Sequence, residues 1–310
     1  MEFKHISVLL EPTVESLNIK PGGLYVDCTA GGGGHSAFAL SKLDDGRMIL
    51  IDRDPSAVEN LHARFDSDPR VTVVRDNFAN IRSVLDSLDL EGECANGIMA
   101  DLGVSSHQLD CAERGFSYHK DAPLDMRMSR EGTSAADIVN TYSQREIQNI
   151  LYKYADEKFA PAIAKGIVSY RAKKTIETTL ELASIVSDSV PAAAKRSGHP
   201  ARKTFQALRI EVNGELDRLG EAVESMFDAL LPGGRLAIIT FHSLEDRIVK
   251  NKFKSFCEGC ICPPDFPVCV CGRKPRGKIP FKPITPSARE IEQNPRSRSA
   301  KLRVIEKIIY

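Results

Sequence analysis

Short apolar runs recur along the chain, and most are apolar at every position rather than alternating with polar residues. They cover residues 24–28, 48–52, 71–74, 97–101 and 235–240. Runs of this length and character are typical of strands in a parallel sheet that is buried on both faces. Helical patterns fill the first three gaps between them. This order predicts an α/β fold with a doubly wound sheet.

The fourth and fifth runs are separated by more than a hundred residues, far beyond the length of a simple crossover. Capping boxes at 143–146 and 178–181 indicate that the intervening stretch is helical. We therefore predict an inserted helical subdomain over residues 110–205, with a role in substrate recognition. Residues 1–109 and 206–310 are predicted to form one discontinuous main domain.

The composition excludes several classes of protein. With 42% hydrophobic and 27% charged residues among 310, the chain is typical of a globular protein rather than a disordered one. No apolar run reaches membrane-spanning length, and the N-terminus lacks the long apolar region of a secretory signal. These features predict a cytoplasmic protein with no membrane partner.

The formal net charge of zero conceals an uneven distribution. Residues 250–310 hold 14 of the 42 Lys and Arg side chains but only 5 of the 42 Asp and Glu side chains. A basic C-terminal segment beside an acidic body favours a polyanionic partner such as nucleic acid. An ordinary solvated surface is the alternative explanation.

Four consecutive glycines, 31–34, lie between a predicted strand and a predicted helix. Glycines at this point let the backbone approach a nucleotide-type cofactor closely, although they also suit a tight turn. Ser36 takes the place of the third glycine of the dinucleotide-binding fingerprint. The match to a nicotinamide site is therefore incomplete.

Polar residues follow the other predicted strands. Asp52 ends the second run and is placed to accept hydrogen bonds from an adenosine ribose, whereas Asp54 suits a helix cap. Phe78 follows the third run and is suited either to stacking on adenine or to the core. Residues 101–108 follow the fourth run and form the predicted active-site loop. His242 follows the fifth and suits either a structural histidine or a substrate contact.

Longer blocks of sequence resemble one known family across nearly the whole chain. They resemble the bacterial small-subunit ribosomal RNA cytosine-N4 methyltransferases. The blocks are residues 31–36, 52–55, 101–108, 114–117, 123–128, 199–213 and 241–247. His107 is a departure, because many relatives have proline at this position, and the change alters the stiffness of the loop.

The resemblance implies a class I S-adenosylmethionine-dependent methyltransferase with a Rossmann-like sheet. It implies methylation of the N4 amine of one cytidine in the decoding region of 16S rRNA, within the small ribosomal subunit. By motif, the implied cofactor contacts are Gly33, Gly34, His35, Asp52, Phe78, Asp101 and Gln108. Asp101, Ser105 and Ser106 are candidate acceptors near the amine, and the sequence does not separate base contacts from cofactor contacts.

Two further groups of side chains are candidates for binding. Basic residues are predicted to contact RNA phosphates, with ordinary solvation as the alternative: Arg202, Lys203, Arg209, Arg273, Lys274, Arg276, Lys278, Arg296 and Arg298. Five cysteines are candidate ligands of a structural zinc, with reduced surface thiols as the alternative: Cys257, Cys260, Cys262, Cys269 and Cys271.

Two other functions fit parts of the pattern. A nicotinamide-dependent oxidoreductase would use the glycine loop and Asp52, but Ser36 and the long insertion disfavour it. A ribosome assembly factor without catalytic activity would bind RNA, but the intact cofactor loop disfavours it. The oligomeric state stays open between a monomer and a homodimer.

Overall fold

The computed structural model describes residues 7–90, 92, 94–193, 195, 198–263, 268 and 270–308. The chain divides into two compact units, which we call the sheet unit (Met1–Gly103 and Leu216–Tyr310) and the helical unit (Val104–Glu215). The predicted boundary between residues 205 and 206 falls inside the helix Ala201–Asn213. Because that helix packs as a whole, all of it belongs to the helical unit.

The sheet unit is built on seven described strands in the order β3-β2-β1-β4-β5-β7-β6. The strands are β1 (Leu24–Asp27), β2 (Arg47–Asp52), β3 (Val71–Arg75), β4 (Ala95–Asp101), β5 (Leu230–Thr240), β6 (Gly277–Lys278) and β7 (Lys301–Lys307). The first five pair in parallel, and β7 runs antiparallel to both β5 and β6. The chain order reverses between β1 and β4, where doubly wound sheets place their ligands.

Thirteen helices are described. They are α1 (Leu10–Ser16), α2 (Gly34–Leu40), α3 (Pro55–Phe65), α4 (Ile81–Asp86), α5 (Ser106–Asp110), α6 (Ala135–Thr141), α7 (Gln144–Ala155), α8 (Ala160–Arg171), α9 (Thr179–Asp188), α10 (Ala201–Asn213), α11 (Leu219–Asp228), α12 (Ser243–Cys257) and α13 (Ala288–Gln293). Helices α5 to α10 belong to the helical unit. No described helix has both the length and the apolar character to cross a bilayer.

Helices cover both faces of the sheet, which explains the continuous apolar runs. Ile49 and Ile51 of β2 belong to a core cluster with residues of α4, α11 and α12. Met48 and Leu50 of the same strand belong to a second cluster with residues of α1, α2 and α3. Because successive side chains of a strand point to opposite faces, every position of such a strand must be apolar.

The helical unit is organised by polar side chains at its helix ends. The two capping boxes predicted from the sequence are confirmed at Ser143 of α7 and Thr178 of α9. Asn213, at the end of α10, donates to the carbonyl of Met126 and accepts from the amide of Met128. These bonds fix the segment before α6 against α10. The unit therefore holds its loops as well as its helices in defined positions.

Candidate active site

The glycine loop between β1 and α2 is closely packed in its second half. Gly33 has a φ of 73°, and a Cβ there would lie 2.6 Å from Cε2 of Phe65. A Cβ on Gly34 would overlap Oγ of Ser7. Gly33 therefore requires glycine, whereas a side chain at Gly34 would require Ser7 to move. At Gly32, in contrast, a Cβ would meet no described atom within 4 Å, which leaves space for a ligand along the loop.

The carboxylate of Asp52, at the end of β2, anchors this loop. Its Oδ2 accepts from the amide of Gly31 at 2.8 Å, and its Oδ1 accepts from the amide of Asp54 at 2.8 Å. Burial raises the pKa of Asp52 to about 6, against the lowering effect of these two hydrogen bonds. Each carboxylate oxygen keeps a further lone pair that can accept from a ligand hydroxyl. Asp54 caps α3, as predicted, by accepting from the amide of Ser56.

Asp27, the last residue of β1, is a second buried carboxyl group beneath the loop. Its Oδ2 accepts from the hydroxyl of Ser36 at 2.6 Å, and its Oδ1 accepts from the amide of Thr29 at 3.1 Å. Burial raises the pKa of Asp27 to about 6, and both hydrogen bonds oppose that rise. A glycine at position 36 would remove the hydroxyl donor from this buried acid. This is the structural reason why the dinucleotide fingerprint is incomplete.

Asp101 ends β4 on the other side of the point where the sheet reverses. Its amide donates to the hydroxyl of Thr29 at 2.6 Å, which joins β4 to the glycine loop. Its Oδ1 is buried and has no hydrogen-bond partner among the described residues. Burial, followed by the charges of Asp27 and Glu245, raises its pKa well above the usual range. A buried acceptor of this kind is suited to a bound ligand or substrate.

Phe78 and His35, two predicted cofactor contacts, differ in how deeply their rings are buried. Phe78 opens the 3₁₀ turn after β3 and is half-buried against the core cluster on the α4 and α11 face. The ring of His35 is buried, and its Nε2 lies 3.0 Å from the carbonyl oxygen of Val8. Burial lowers the pKa of His35 to about 4, so the ring is neutral and Nε2 donates. The His35 ring therefore serves the fold, and only its backbone amide, in the first turn of α2, is left for a cofactor.

His242 has a structural role, and because its buried Nε2 has no hydrogen-bond partner among the described residues, a substrate contact stays a prediction. It is the N-cap of α12, where its Nδ1 accepts from the amide of Glu245. The buried carboxylate of Glu245 accepts in return from the amides of Phe241 and His242. His242 Nε2 lies 3.0 Å from Oε1 of Glu245, outside the angle of a hydrogen bond. This reciprocal arrangement fixes the turn at the carboxyl end of β5.

In the helical unit, Ser105 and Gln108 form a capping box at the start of α5. The Ser105 hydroxyl accepts from the Gln108 amide at 3.2 Å, and Gln108 Oε1 accepts from the Ser105 amide at 3.1 Å. Both side chains thus have structural roles besides those predicted for them. The spacing Ser-x-x-Gln is the known signature of such a box and is present in the sequence. The side chain of Ser106, the third candidate acceptor, lies outside the described part of the structure.

Three of the nine predicted phosphate contacts are engaged in ion pairs within the protein. Arg209 pairs with the buried Glu215 at 2.8 Å. Arg276 reaches Asp228 at 3.0 Å, and Lys278 reaches Glu306 at 2.8 Å. These three side chains would have to exchange a carboxylate for a phosphate to bind RNA, and as phosphate contacts they stay predictions. The other six likewise stay predictions: Arg202, Lys203, Arg273, Lys274, Arg296 and Arg298.

The five predicted zinc ligands do not all come together. Sulfur atoms of Cys260, Cys262 and Cys271 lie within 4.8 Å of one another. Cys257 is not part of this group. It belongs to the last turn of α12, where it packs against the core. Cys269 lies outside the described residues.

The sheet order and the site define a class of protein. A parallel sheet with an antiparallel β7 inserted next to β5, and a glycine loop after β1, is the Rossmann-like fold of class I methyltransferases. The predicted fold class is thereby confirmed. Ligand groups converge where the fold places ligands, at the carboxyl ends of β1, β2 and β4.

The chain belongs to the MraW methylase family, whose model matches residues 2–308. It is 56% identical to "Ribosomal RNA small subunit methyltransferase H" of Clostridium botulinum (strain Kyoto / Type A2), over 99% of this chain and 100% of the relative. It is 51% identical to the protein of the same name from Brevibacillus brevis (strain 47 / JCM 6285 / NBRC 100599), over 99% of each chain. Family membership confirms the predicted family, the methyltransferase class and S-adenosylmethionine as the cofactor. The oxidoreductase alternative was wrong.

Proposed function

We propose that this methyltransferase acts in the cytoplasm on the small ribosomal subunit and methylates the N4 amine of one cytidine in the decoding region of 16S rRNA. The observation that carries the proposal is the 56% identity, over essentially the whole chain, to a relative named for the small-subunit ribosomal RNA. The choice of the N4 amine and of the decoding region rests on the sequence resemblance. A homodimer stays a prediction.

The residues at the carboxyl edge of the sheet fit S-adenosylmethionine. The free lone pairs of Asp52 suit the two ribose hydroxyls, and the open space beside Gly32 suits the remainder of the ligand along the loop. The half-buried ring of Phe78 follows β3 at the same edge and suits the face of the adenine. The amides of Gly34 and His35, in the first turn of α2, lack intrahelical acceptors and suit the polar end of the ligand.

The chemical difficulty lies in the acceptor amine. The lone pair of N4 is delocalised into the cytosine ring, so the site must favour a pyramidal amine that is aligned with the methyl group. The bound sulfonium supplies an activated methyl group. Holding the two groups in line can contribute roughly 7–11 kcal/mol to lowering the barrier. A hydrogen-bond acceptor beside N4 favours the pyramidal amine, and it can also receive the proton that the amine loses.

We assign that role to Asp101. Its Oδ1 is the described buried carboxylate oxygen without a hydrogen-bond partner, and it lies at the end of β4 beside the glycine loop. Burial raises the pKa of Asp101 well above its usual range, which makes its ionisation less favourable in the free protein. A positive charge bound nearby favours loss of its proton. The carboxyl group therefore becomes an acceptor when a cationic ligand is bound.

These carboxyl groups predict that cofactor affinity depends on pH. Asp27 and Asp52, each with a pKa of about 6, hold protons below that pH and are ionised above it. A cationic ligand prefers the ionised site, so affinity should rise from pH 5 to pH 7, by up to about tenfold per pH unit for each proton released. Calorimetric titration at several pH values measures this dependence.

S-adenosylhomocysteine is the matched control ligand, because it lacks only the methyl group and the sulfonium charge. Its affinity should change less with pH. The dissociation constant of S-adenosylmethionine should therefore fall relative to that of S-adenosylhomocysteine as pH rises. A ratio that stays constant between pH 5 and pH 7 would show that these carboxyl groups do not respond to the charge of the ligand.

The surface of the helical unit supports its proposed role in recognising RNA. The ring of Tyr118 stacks on His199, with centroids 4.5 Å apart and planes 17° apart, and Phe205 packs against it edge-on. His119 and His199 are exposed, and Arg202 lies exposed in the first turn of α10. Exposed rings such as these two imidazoles, beside a basic side chain, are typical of surfaces that stack unpaired RNA bases.

The proposed function is tested by incubating the protein with isotopically labelled S-adenosylmethionine and small ribosomal subunits that lack the modification. Mass spectrometry of digested rRNA should locate one labelled cytidine in the decoding region, methylated at N4. Label on another atom or nucleotide would contradict the proposed specificity. Cofactor binding and subunit binding without any transfer would instead favour the non-catalytic assembly factor.

A further inference from the structure

The described residues of the cysteine-rich loop between α12 and β6 form no apolar core. Three of their apolar side chains face solvent, with Ile261 63% exposed, Val268 70% and Val270 72%. Its described residues form no helix or strand between Glu258 and Arg276. A loop of this length needs some other source of order, since burial of apolar surface does not supply it.

The two ends of this loop are held together by a main-chain hydrogen bond. The amide of Arg276, after the loop, donates to the carbonyl of Phe256, before it, at 2.7 Å. Further out, Sγ of Cys260 and Sγ of Cys271 lie 3.7 Å apart. The thiols therefore meet across the loop, just beyond its closed base.

The spacing of the sulfur atoms matches a metal site. With zinc–sulfur bonds of about 2.3 Å, two thiolates of a tetrahedral site lie roughly 3.8 Å apart. The 3.7 Å between Cys260 and Cys271 fits that distance, and Cys262 completes a group within 4.8 Å. A disulfide would require about 2.05 Å between the two sulfur atoms.

A second observation supports thiolates at this place. The amide of Cys262 donates to Sγ of Cys260 at 3.4 Å. A main-chain amide directed at a sulfur atom stabilises the ionised form that binds metal, and such outer hydrogen bonds are a regular feature of metal sites. Arg273 and Lys274 follow the last cysteine in sequence, and their positive charge offsets that of several thiolates.

We propose that Cys260, Cys262 and Cys271 bind a structural Zn²⁺ that orders this loop. Soft thiolate ligands select zinc over hard cations such as magnesium. Three thiolates leave one tetrahedral position for a fourth ligand, and a site closed in this way has a structural rather than a catalytic role. The five-cysteine set predicted from the sequence is thereby reduced, because Cys257 packs against the core. Burial raises the pKa of Cys257, which keeps it a thiol.

The test measures metal content by plasma mass spectrometry in full-length protein purified without chelator. About one zinc per chain is expected, and each of Cys260→Ser, Cys262→Ser and Cys271→Ser should retain less than about one tenth of it. Cys257→Ser is the matched control, since it removes a cysteine of the same segment and should keep its zinc. Loss of zinc in Cys269→Ser as well would identify a fourth thiolate.

Cobalt reconstitution and limited proteolysis give readouts that are independent of activity. Cobalt-loaded protein should show the charge-transfer bands of tetrahedral thiolate ligation. Trypsin should cut after Arg273 at least about tenfold faster when the metal is removed. Unchanged binding of S-adenosylmethionine by the serine variants would show that they are folded, because the cofactor residues lie elsewhere.

Four results would overturn the proposal. One is wild-type protein without zinc, and another is zinc that persists in both Cys260→Ser and Cys271→Ser. The third is the loss of two free thiols on non-reducing titration, mapped to Cys260 and Cys271, because that would identify a disulfide. Iron in place of zinc would likewise contradict the assignment.

Discussion

Asp101→Asn is expected to lower the rate of methyl transfer by roughly 10²–10⁴-fold, the range for loss of a positioned acid–base group. The substitution keeps the size of the side chain but replaces one carboxyl oxygen with a donor, so a site that must accept from the amine then presents hydrogens to it. The measurement is the single-turnover rate on small subunits, with cofactor at saturating concentration. Calorimetry should be run in parallel to show that the cofactor still binds.

A stability measurement separates this effect from damage to the fold. The raised pKa of Asp101 means that the native state binds its proton more tightly than the unfolded state does, so ionisation above that pKa costs stability. Asn carries no charge, and Oδ1 has no described hydrogen-bond partner to lose. At pH 8 the melting temperature of Asp101→Asn should therefore equal or exceed that of the wild type.

Ser105→Ala is the matched control, since Ser105 was also a candidate acceptor. Its hydroxyl caps α5, and loss of such a cap costs about 1 kcal/mol in the free energy of unfolding. Turnover should stay within about threefold of the wild type, because a cap acts on the helix and not on the amine. Wild-type turnover in Asp101→Asn would contradict the role of Asp101 as the acceptor. A collapse of turnover in Ser105→Ala would contradict a purely capping role for Ser105.

The second large effect is expected for Gly33→Ala. Alanine would have to adopt a φ of 73°, which costs about 1–2 kcal/mol, and its Cβ would lie 2.6 Å from the ring of Phe65. Forcing a methyl group into a packed site typically costs a further ~1–3 kcal/mol. The free energy of unfolding should fall by about 2–5 kcal/mol. Urea denaturation of the cofactor-free protein measures this loss.

Gly32→Ala is the control one residue away. Its Cβ would meet no described atom within 4 Å, so the cofactor-free protein should unfold within about 1 kcal/mol of the wild type. The same methyl group would occupy the space proposed for the ligand, and cofactor affinity should fall at least about tenfold. Equal destabilisation by the two substitutions, or unchanged affinity in Gly32→Ala, would contradict this description of the loop.

Several features of the fold could be predicted from local sequence alone. The strands of the parallel sheet, the cap at Asp54 and the boxes at Ser143 and Thr178 depend on residues close together in the chain, and all were confirmed. The spacing of the box at Ser105 is also present in the sequence, within the segment predicted as the active-site loop. Strand patterns and capping residues depend on neighbouring residues, so the sequence alone is enough to predict them.

The partners of charged side chains cannot be predicted from local sequence in the same way. Arg276 and Lys278 stand in a basic stretch of sequence, yet their carboxylate partners, Asp228 and Glu306, come from distant parts of the chain. The ring of His35 likewise finds its acceptor at Val8, on a different element. Counting charges along the sequence therefore does not show which basic side chains have carboxylate partners within the protein.

The sequence by itself determined the class of fold, the family and the positions of the ligand loop, because periodicity, glycine placement and long motif blocks are properties of neighbouring residues. Only the tertiary structure decided which polar atoms are already paired. In the structure, Asp101 Oδ1 is a buried acceptor without a described partner, and the Ser36 hydroxyl donates to Asp27. Three cysteines lie close together, and Cys257 is not among them. Pairing and burial depend on residues that are distant in the chain, and burial is what shifts the pKa of a carboxyl group.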